Sequence, residues 1–401
     1  MRVAVAWWRG LTLVLPYRTH HLLRGLALAH VLAGCGTAAD SPRDAASAFD
    51  APGSDVASEA TDDTPPPAPP FTIVALDRSR IGSANSTGWP NVGKARADVD
   101  WGPGPFADVR LVVALDTACF PFSQWSVSPP PPGQNWPADC DAFDRNLNVF
   151  IDDRATPRSS DTAPFEVIHA ITPFGGPEHL EVDVTDLANA RPGRHALVVE
   201  IPSFSDPEGL VTGSNGGWTV SARVEITPGP ARRRVLAVVP AFVGTLGAGE
   251  AFPSATFDVP AGTTGSRLEY RASGHGQGPA GARCIGPAEE FCDRRHQIFV
   301  DGAMVDNIEP YRDDCASLCT IAHQGPADGG LDYCMQNPCG DPNSVRSPRA
   351  NWCPGSMTPP FRWDDLPALA TPGPHTLSFQ ILDIVAGGNW SLSAIYTAYG
   401  P

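Results

Sequence analysis

The run Trp218-Thr219-Val220-Ser221-Ala222-Arg223-Val224-Glu225-Ile226, closed by Thr227-Pro228-Gly229-Pro230 and followed by Val235 to Val243, decides how this chain folds. Apolar residues stand at every second position before the break, the two-residue period of a strand with one covered face. Proline and glycine then interrupt the ladder before a second apolar run begins. The pattern repeats outward in both directions. Upstream lie Val109 to Leu115, Leu147 to Ile151, Phe165 to Ile171, Leu180 to Val184 and Ala196 to Ile201. Downstream lie Arg267 to Arg271, Gln297 to Val300, His375 to Ile384 and Trp390 to Tyr396. Each is of strand length and ends in turn residues, and no window holds a helical period over three turns. Many short strands between Gly/Pro turns predict an all-β protein of β-sandwich or jelly-roll type. The break at 227–230 divides the chain after residue 70 into about 160 and about 170 residues. Two tandem jelly-roll sandwiches are therefore expected, over 71–230 and 231–401.

Composition agrees. Gly 39 and Pro 43 of 401 residues are too many helix breakers for a coiled coil or a bundle. The net charge of −16 argues against a nucleic-acid partner, which requires a positive surface field. Lys94 is the sole lysine, so the positive charge is almost all arginine. No multi-span membrane pattern is present.

The first 35 residues read as an export signal. Arg2, Arg9, Arg18 and Arg24 precede the apolar stretch Leu26 to Leu32 and then Ala33-Gly34-Cys35. The run Leu32-Ala33-Gly34-Cys35 resembles a bacterial lipobox, which implies lipidation at Cys35. Residues 36–70 follow, rich in Ala, Ser, Asp and Pro and ending in Thr64-Pro65-Pro66-Pro67-Ala68-Pro69-Pro70. Such a segment cannot bury a core, and an acidic, disordered stalk is expected. The chain is thus expected in the cell envelope outside the cytoplasm, tethered only by a lipid, or secreted, and monomeric.

Ten cysteines suit an oxidising compartment. Cys119 and Cys140 bracket a proline-rich loop, and closing it removes about 3 kcal/mol of unfolded-state entropy. Cys284 and Cys292 form a second plausible pair. Cys315, Cys319, Cys334, Cys339 and Cys353 are five, so one is left over or the pairing is less simple; Cys334 and Cys353 are counted among the bonded ones. A metal cluster is disfavoured, since no Cys-x-x-Cys pair occurs and no histidine stands at ligand spacing. Copper sites built between paired jelly rolls need clustered histidines, whereas His169, His179, His195, His275, His296, His323 and His375 are scattered. Serine or cysteine nucleophiles are disfavoured too, for want of a Gly-x-Ser-x-Gly turn or a free cysteine in a basic setting.

Three segments carry a resemblance. They are Cys140-Asp141-Ala142-Phe143-Asp144-Arg145, with Ile171-Thr172-Pro173-Phe174 and Leu180-Glu181-Val182-Asp183; Glu290-Phe291-Cys292, leading to His296; and Arg349-Ala350-Asn351-Trp352-Cys353-Pro354-Gly355. Together they resemble bacterial peptide-N-glycosidase F, an amidase family that removes N-linked glycans from asparagine and is built of two jelly rolls. The resemblance implies Asp144 as the essential carboxylate, with Glu200 and Glu290 as further acids contributed by both domains. It also implies Arg145 and Arg349 as groups that orient the substrate. Phe291 and Trp352 are the aromatic candidates for a sugar ring. An N-linked glycopeptide or glycoprotein is the implied partner, and no metal or organic cofactor is implied.

The chemistry asks for such a set. A carboxylate in reach of a water can act as general base, but an ordinary aspartate, pKa about 3.9, is too weak unless burial or a neighbouring acid raises it. An arginine facing the developing oxyanion would stabilise it. The alternative expectation is a sugar-binding or adhesion jelly roll that keeps the fold without the reaction.

Overall fold

The computed structural model describes residues 68–83, 91–153, 164–203, 211–326 and 330–401. The signal segment, Cys35 and nearly all of the acidic stalk lie outside the described residues.

The first half contains β1 (Phe71–Gly82), β2 (Asn91–Val92), β3 (Lys94–Asp100), β4 (Phe106–Thr117) and β5 (Asn146–Asp153). It continues with β6 (Phe165–Ile171), β7 (Glu178–Asp183), the six-residue helix α1 (Thr185–Ala190), β8 (Arg194–Glu200) and β9 (Gly217–Pro228). The second half begins with β10 (Val235–Gly247), β11 (Ser254–Val259), β12 (Gly265–Gly276), β13 (His296–Val300) and β14 (Ala303–Ile308). A hairpin, β15 (Ile321–Gln324) and β16 (Leu331–Cys334), and the short helix α2 (Pro342–Arg346) follow. The chain ends with β17 (Ser356–Met357), β18 (Phe361–Asp364), β19 (Gly373–Ile381) and β20 (Gly388–Tyr399).

Two sandwiches result, with the same connectivity. In the first, one sheet runs β1-β9-β4-β7 with β2 added at its edge, and the other runs β6-β5-β8-β3. In the second the sheets are β10-β20-β12-β18 and β11-β19-β13-β14. Numbering the eight sandwich strands of each half in chain order gives 1-8-3-6 facing 2-7-4-5 both times. That is the order of a long hairpin wrapped on itself, the jelly roll, so the fold expectation holds. The halves also share an edge: β17, from the second half of the chain, pairs with β6 of the first sandwich.

Each sandwich has its own core. Leu111, Val113 and Leu115 of β4, Leu147, Val149 and Ile151 of β5, and Trp218 and Val220 of β9 close the first. Leu268, Tyr270 and Ala272 of β12, Ile298, Phe379, Trp390 and Tyr396 close the second. Burying one such side chain stabilises by about 1.5–3 kcal/mol, enough to hold each strand's register.

Because Leu268, Tyr270 and Ala272 point into the second core, the odd residues of β12 point the other way. Arg267, Glu269, Arg271, Ser273 and His275 thus form a polar row on the face turned to the first sandwich. The neighbouring strand β20 sets Thr397 beside Arg267, Ser393 beside Arg271 and Ser391 beside Ser273.

Candidate active site

Asp144 sits on the short segment between Cys140 and the start of β5, and this segment is fixed at many points. The Cys119–Cys140 disulfide closes its root. Ala142 N–H donates to Gly213 O at 2.8 Å, Arg145 N–H to Thr172 Oγ1 at 2.9 Å, and Thr172 N–H to Arg145 O at 2.8 Å. Asp141, with no accessible surface, accepts from Nε and Nη2 of Arg145 at 3.1–3.2 Å. Burial pushes the Asp141 carboxyl up to about 6 against the pull of that guanidinium. Arg145 also stacks its guanidinium over the Phe143 ring at 5.0 Å. Its charge therefore serves Asp141 and holds the Asp144 segment in shape, where the family resemblance gives it to the substrate.

The second sandwich contributes Glu290 and Arg349. Residues Glu289–Phe291 form one turn of 3-10 helix, tied below by the Cys284–Cys292 disulfide. The turn sends its two adjacent acids apart. Glu289, wholly buried, accepts from Nε and Nη2 of Arg294 at 2.9 and 3.0 Å, from Trp390 Nε1 at 2.8 Å and from Val385 N–H at 3.0 Å. It is a structural anchor. Glu290, 28% exposed, accepts from Nη1 of Arg349 at 2.9 Å. Arg349 Nη2 donates to both O and Oγ of Ser344 at 3.0 Å, while its buried Nε lacks a partner among the described residues. The backbone joins the two segments through Ala350 N–H to Glu290 O at 2.8 Å.

These groups act on Asp144 together. Burial pushes the half-buried Asp144 carboxyl up to about 6, Glu290 adds to the rise, and Arg349 and Arg145 restrain it. A carboxylate near 6 is a far better proton acceptor than a free aspartate and is still ionised at neutral pH. Glu200 is one strand away. It ends β8 opposite Asn148 of β5 and Lys94 of β3, and among the described residues its carboxylate has no hydrogen-bond partner.

Of the two aromatic candidates, Trp352 departs from expectation. Trp352 is only 2% exposed, with Arg349 over its ring at 4.4 Å and His275 stacked at 5.5 Å. Its Nε1 donates to Gly274 O at 2.8 Å. No face of Trp352 is open to a sugar, and the ring instead braces the arginine. Phe291 takes the same guanidinium on its own ring at 4.7 Å and remains half-buried. Arg349 is thus clamped between two aromatic faces, a geometry that lysine cannot reproduce. Gly274 has to be glycine here, because a Cβ would lie 2.7 Å from Ala350 and 2.9 Å from the Trp390 ring.

Sequence reasoning missed a buried chain of polar groups running across the seam behind this site. Asn148 Nδ2 donates to Glu166 Oε1, which also lies 3.2 Å from His169 Nδ1. His169 Nε2 meets Ser273 Oγ at 2.6 Å, and Ser273 Oγ meets His275 Nε2 at 2.6 Å. Burial, with His169 and Arg349 adding to it, pushes His275 down to about 3, so it is neutral. The order serine–histidine–carboxylate is that of a nucleophilic triad, but Ser273 has no accessible surface and cannot reach a substrate. The chain couples β6 of one sandwich to β12 of the other. Its only signal in the sequence was the alternation Ser273, His275 that continues the polar row of β12.

Eight cysteines form four disulfides: 119–140, 284–292, 315–353 and 319–334. Cys315–Cys353 anchors the segment carrying Arg349 and Trp352, so Cys353 and Cys334 take different partners. Cys339 is the free one among the described residues.

Comparisons with known proteins give a sequence match to part of the chain and a likeness in fold to most of it. Residues 248–397 match the family model for the C-terminal part of peptide-N-glycosidase F. No curated protein matches the chain in sequence. Among solved structures, the peptide-N(4)-(N-acetyl-beta-D-glucosaminyl) asparagine amidase superposes with TM-score 0.59 at 18% identity, over 82% of this chain and 96% of the other. PNGase F described as a glycosylasparaginase from Flavobacterium meningosepticum gives 0.57 at 17%, over 83% and 96%. PNGF-II also gives 0.57 at 17%, over 83% of this chain and 65% of its own. Residues 248–397 are thus similar in sequence to peptide-N-glycosidase F, and both sandwiches share its fold.

Proposed function

We propose that this chain hydrolyses the amide bond between asparagine and the first N-acetylglucosamine of N-linked glycans, releasing the glycan and leaving aspartate. The observation that supports it best is the meeting of Asp144, from one sandwich, with the Glu290–Arg349 pair of the other, which leaves a raised aspartate beside a fixed cation. A solved asparagine amidase with the same fold points the same way.

In this reading Asp144 takes a proton from a water as the water's oxygen attacks the side-chain carbonyl carbon. Negative charge then develops on the carbonyl oxygen, and Arg349, buried at 1% exposure and bonded to Glu290 and Ser344, favours it through its field and not by contact. Glu290 fixes the guanidinium and keeps the Asp144 carboxyl high. Collapse of the tetrahedral intermediate breaks the C–N bond, and the nitrogen leaves with a proton as the glycosylamine. Glu200, on the adjacent strand and without a partner among the described residues, is the further acid assigned to the sugar or the leaving group. Arg145 keeps the Asp144 segment in place, and Phe291 is the remaining aromatic for sugar contact. Four disulfides need an oxidising compartment, which supports export; the lipid anchor at Cys35 and a monomeric state belong to the same proposal.

Incubation with an N-glycopeptide, followed by mass spectrometry, tests the reading. Conversion of the glycosylated asparagine to aspartate is expected. A single sugar left on the peptide would indicate an endoglycosidase, and binding without product would favour the sugar-binding alternative.

A further inference from the structure

The buried polar chain behind the site has one open end. Ser273 Oγ, with no accessible surface, lies 2.6 Å from His169 Nε2 and 2.6 Å from His275 Nε2. Contacts that short each need a hydrogen between the two atoms. A hydroxyl has a single proton to give, so it donates to one imidazole and accepts from the other. Accepting from both would bury its own hydrogen without an acceptor, and two bare rings would leave lone pairs facing each other. One of the two Nε2 atoms therefore carries a proton and the other does not.

The inner end is fixed by charge. Burial works to raise the Glu166 carboxyl, but the charge and hydrogen bond of His169 outweigh it and hold the group below the ordinary range. An ionised carboxylate only accepts, so His169 Nδ1, 3.2 Å from Glu166 Oε1, carries a hydrogen. The proton count on His169 then dictates the outer end. With His169 singly protonated, its bare Nε2 takes the Ser273 hydrogen, His275 carries its own on Nε2, and His275 Nδ1 is a bare acceptor. With His169 doubly protonated, both serine bonds reverse and the neutral His275 presents an N–H at Nδ1.

His275 Nδ1 has no partner among the described residues and is not cut off from water, for the residue is partly exposed. Its ring stacks on Trp352 at 5.5 Å, and the Arg349 guanidinium lies 4.4 Å from that tryptophan. The same guanidinium acts on His275 and on Asp144. From β6 the chain is faced by Glu166 and His169, and from the segment after α2 by Arg349. The neighbouring strand β20 brings the neutral Asn389 and Ser391 into register with His275 and Ser273.

We propose that Glu166, His169, Ser273 and His275 form a proton relay, with His275 Nδ1 as a further catalytic group that protonates the departing nitrogen. This rests on the amide hydrolysis proposed above. As the C–N bond breaks, its electron pair goes to the nitrogen, which takes the hydrogen from His275 Nδ1. His275 Nε2 takes the Ser273 hydrogen, and Ser273 Oγ takes the Nε2 hydrogen of His169. His169 ends singly protonated against Glu166, and the relay refills from water through the same outer nitrogen. His275 exchanges one tautomer for the other without holding a charge, the property that suits an imidazole to carry protons.

Nitrogen-15 NMR of the full chain, labelled at histidine, reads the relay without a glycan, because ring-nitrogen shifts separate protonated from bare positions. Two locked states are expected: His275 with Nε2–H whenever His169 holds one proton, and with Nδ1–H whenever His169 holds two. Any other pairing would overturn the proposal. In glycopeptide turnover, His275→Phe keeps a ring on Trp352 and is expected to lower kcat by about 10²-fold with KM little changed. Ser273→Ala cuts the relay away from the substrate. It is expected to lower kcat similarly and to turn a curved proton inventory in mixed light and heavy water into a straight one. An unchanged kcat in a folded His275→Phe, or the same curved inventory in Ser273→Ala, would also overturn the proposal. Should Ser273→Ala not fold, the paired NMR states and His275→Phe still decide. Locked states in a parent chain that releases no glycan would sink the amidase reading and leave the relay standing.

Discussion

The Glu290 carboxylate accepts from Nη1 of Arg349 at 2.9 Å, and this pair of the second sandwich sets the field in which Asp144 of the first titrates. Neither sandwich holds a site alone. The acid that rises to about 6 is on one side of the seam, and the groups that tune it are on the other. Perturbed carboxylates gathered at such a junction are the usual mark of a working site.

Asp144→Asn should keep the fold and lose about 10²- to 10⁴-fold in glycopeptide turnover, the usual worth of a general base. In the parent, kcat/KM should rise with pH through about 6 and then level, because the ionised carboxylate is the active form. A glycan-release assay across pH 4–8 reads both outcomes.

Removing the positive charge of Arg349 should move that limb upward. Arg349 favours the ionised form of Asp144, so in Arg349→Gln the carboxyl climbs above about 6 and the rate rises only at higher pH. The same variant frees Glu290 and strips the Ser344 and ring contacts, and a loss of about 2–4 kcal/mol is expected in chemical denaturation.

His169→Ala should destabilise by about 2–4 kcal/mol, since it leaves the Glu166 carboxylate and Ser273 hydroxyl buried with a lost partner. A double-mutant cycle with Ser273→Ala should return a coupling of about 1 kcal/mol if the bond across the seam counts. Strict additivity would show that it does not.

Glu178 gives a stability signature with no link to activity. It is 8% exposed, both carboxylate oxygens lack partners among the described residues, and burial pushes its pKa up to about 8. A folded pKa above the unfolded one means stability that is complete below about 4.5 and is lost as pH rises through about 8. Glu178→Gln should therefore gain over the parent by about 1.4 kcal/mol per pH unit across that window. Thermal melts at pH 5 and pH 8 decide it.

Cys339 should be silent in the native state. Burial pushes its thiol up to about 12, and nearby Asp141 adds to the rise. Iodoacetamide followed by peptide mapping should leave Cys339 unmodified in the folded chain and alkylate it after denaturation without reductant. Modification of the native protein would contradict the raised thiol.

The central strands were legible in the sequence because both of their faces, or one full face, are apolar. The runs read at Val109 to Leu115, Leu147 to Ile151 and Trp218 to Ile226 fall inside β4, β5 and β9. The strands that were missed include β3 (Lys-Ala-Arg-Ala-Asp-Val-Asp), β11, β14 and β18, all at sheet edges. An edge strand has a neighbour on one side only and carries polar residues without penalty, so its pattern fades.

By itself the sequence determined the all-β class and the two successive sandwiches, because two-residue periodicity and turn residues are local properties. It also marked Asp144, Glu290 and Arg349, through short motifs that resemble a known family. Only the tertiary structure decided what these residues touch. It closed Trp352 between Arg349 and His275, gave Arg145 to Asp141, and threaded Glu166, His169, Ser273 and His275 across the seam. Those outcomes depend on how two separately folded sandwiches meet. Burial and partner choice at a junction are set by residues more than a hundred positions apart, as His169 and Ser273 are, and no local pattern encodes them.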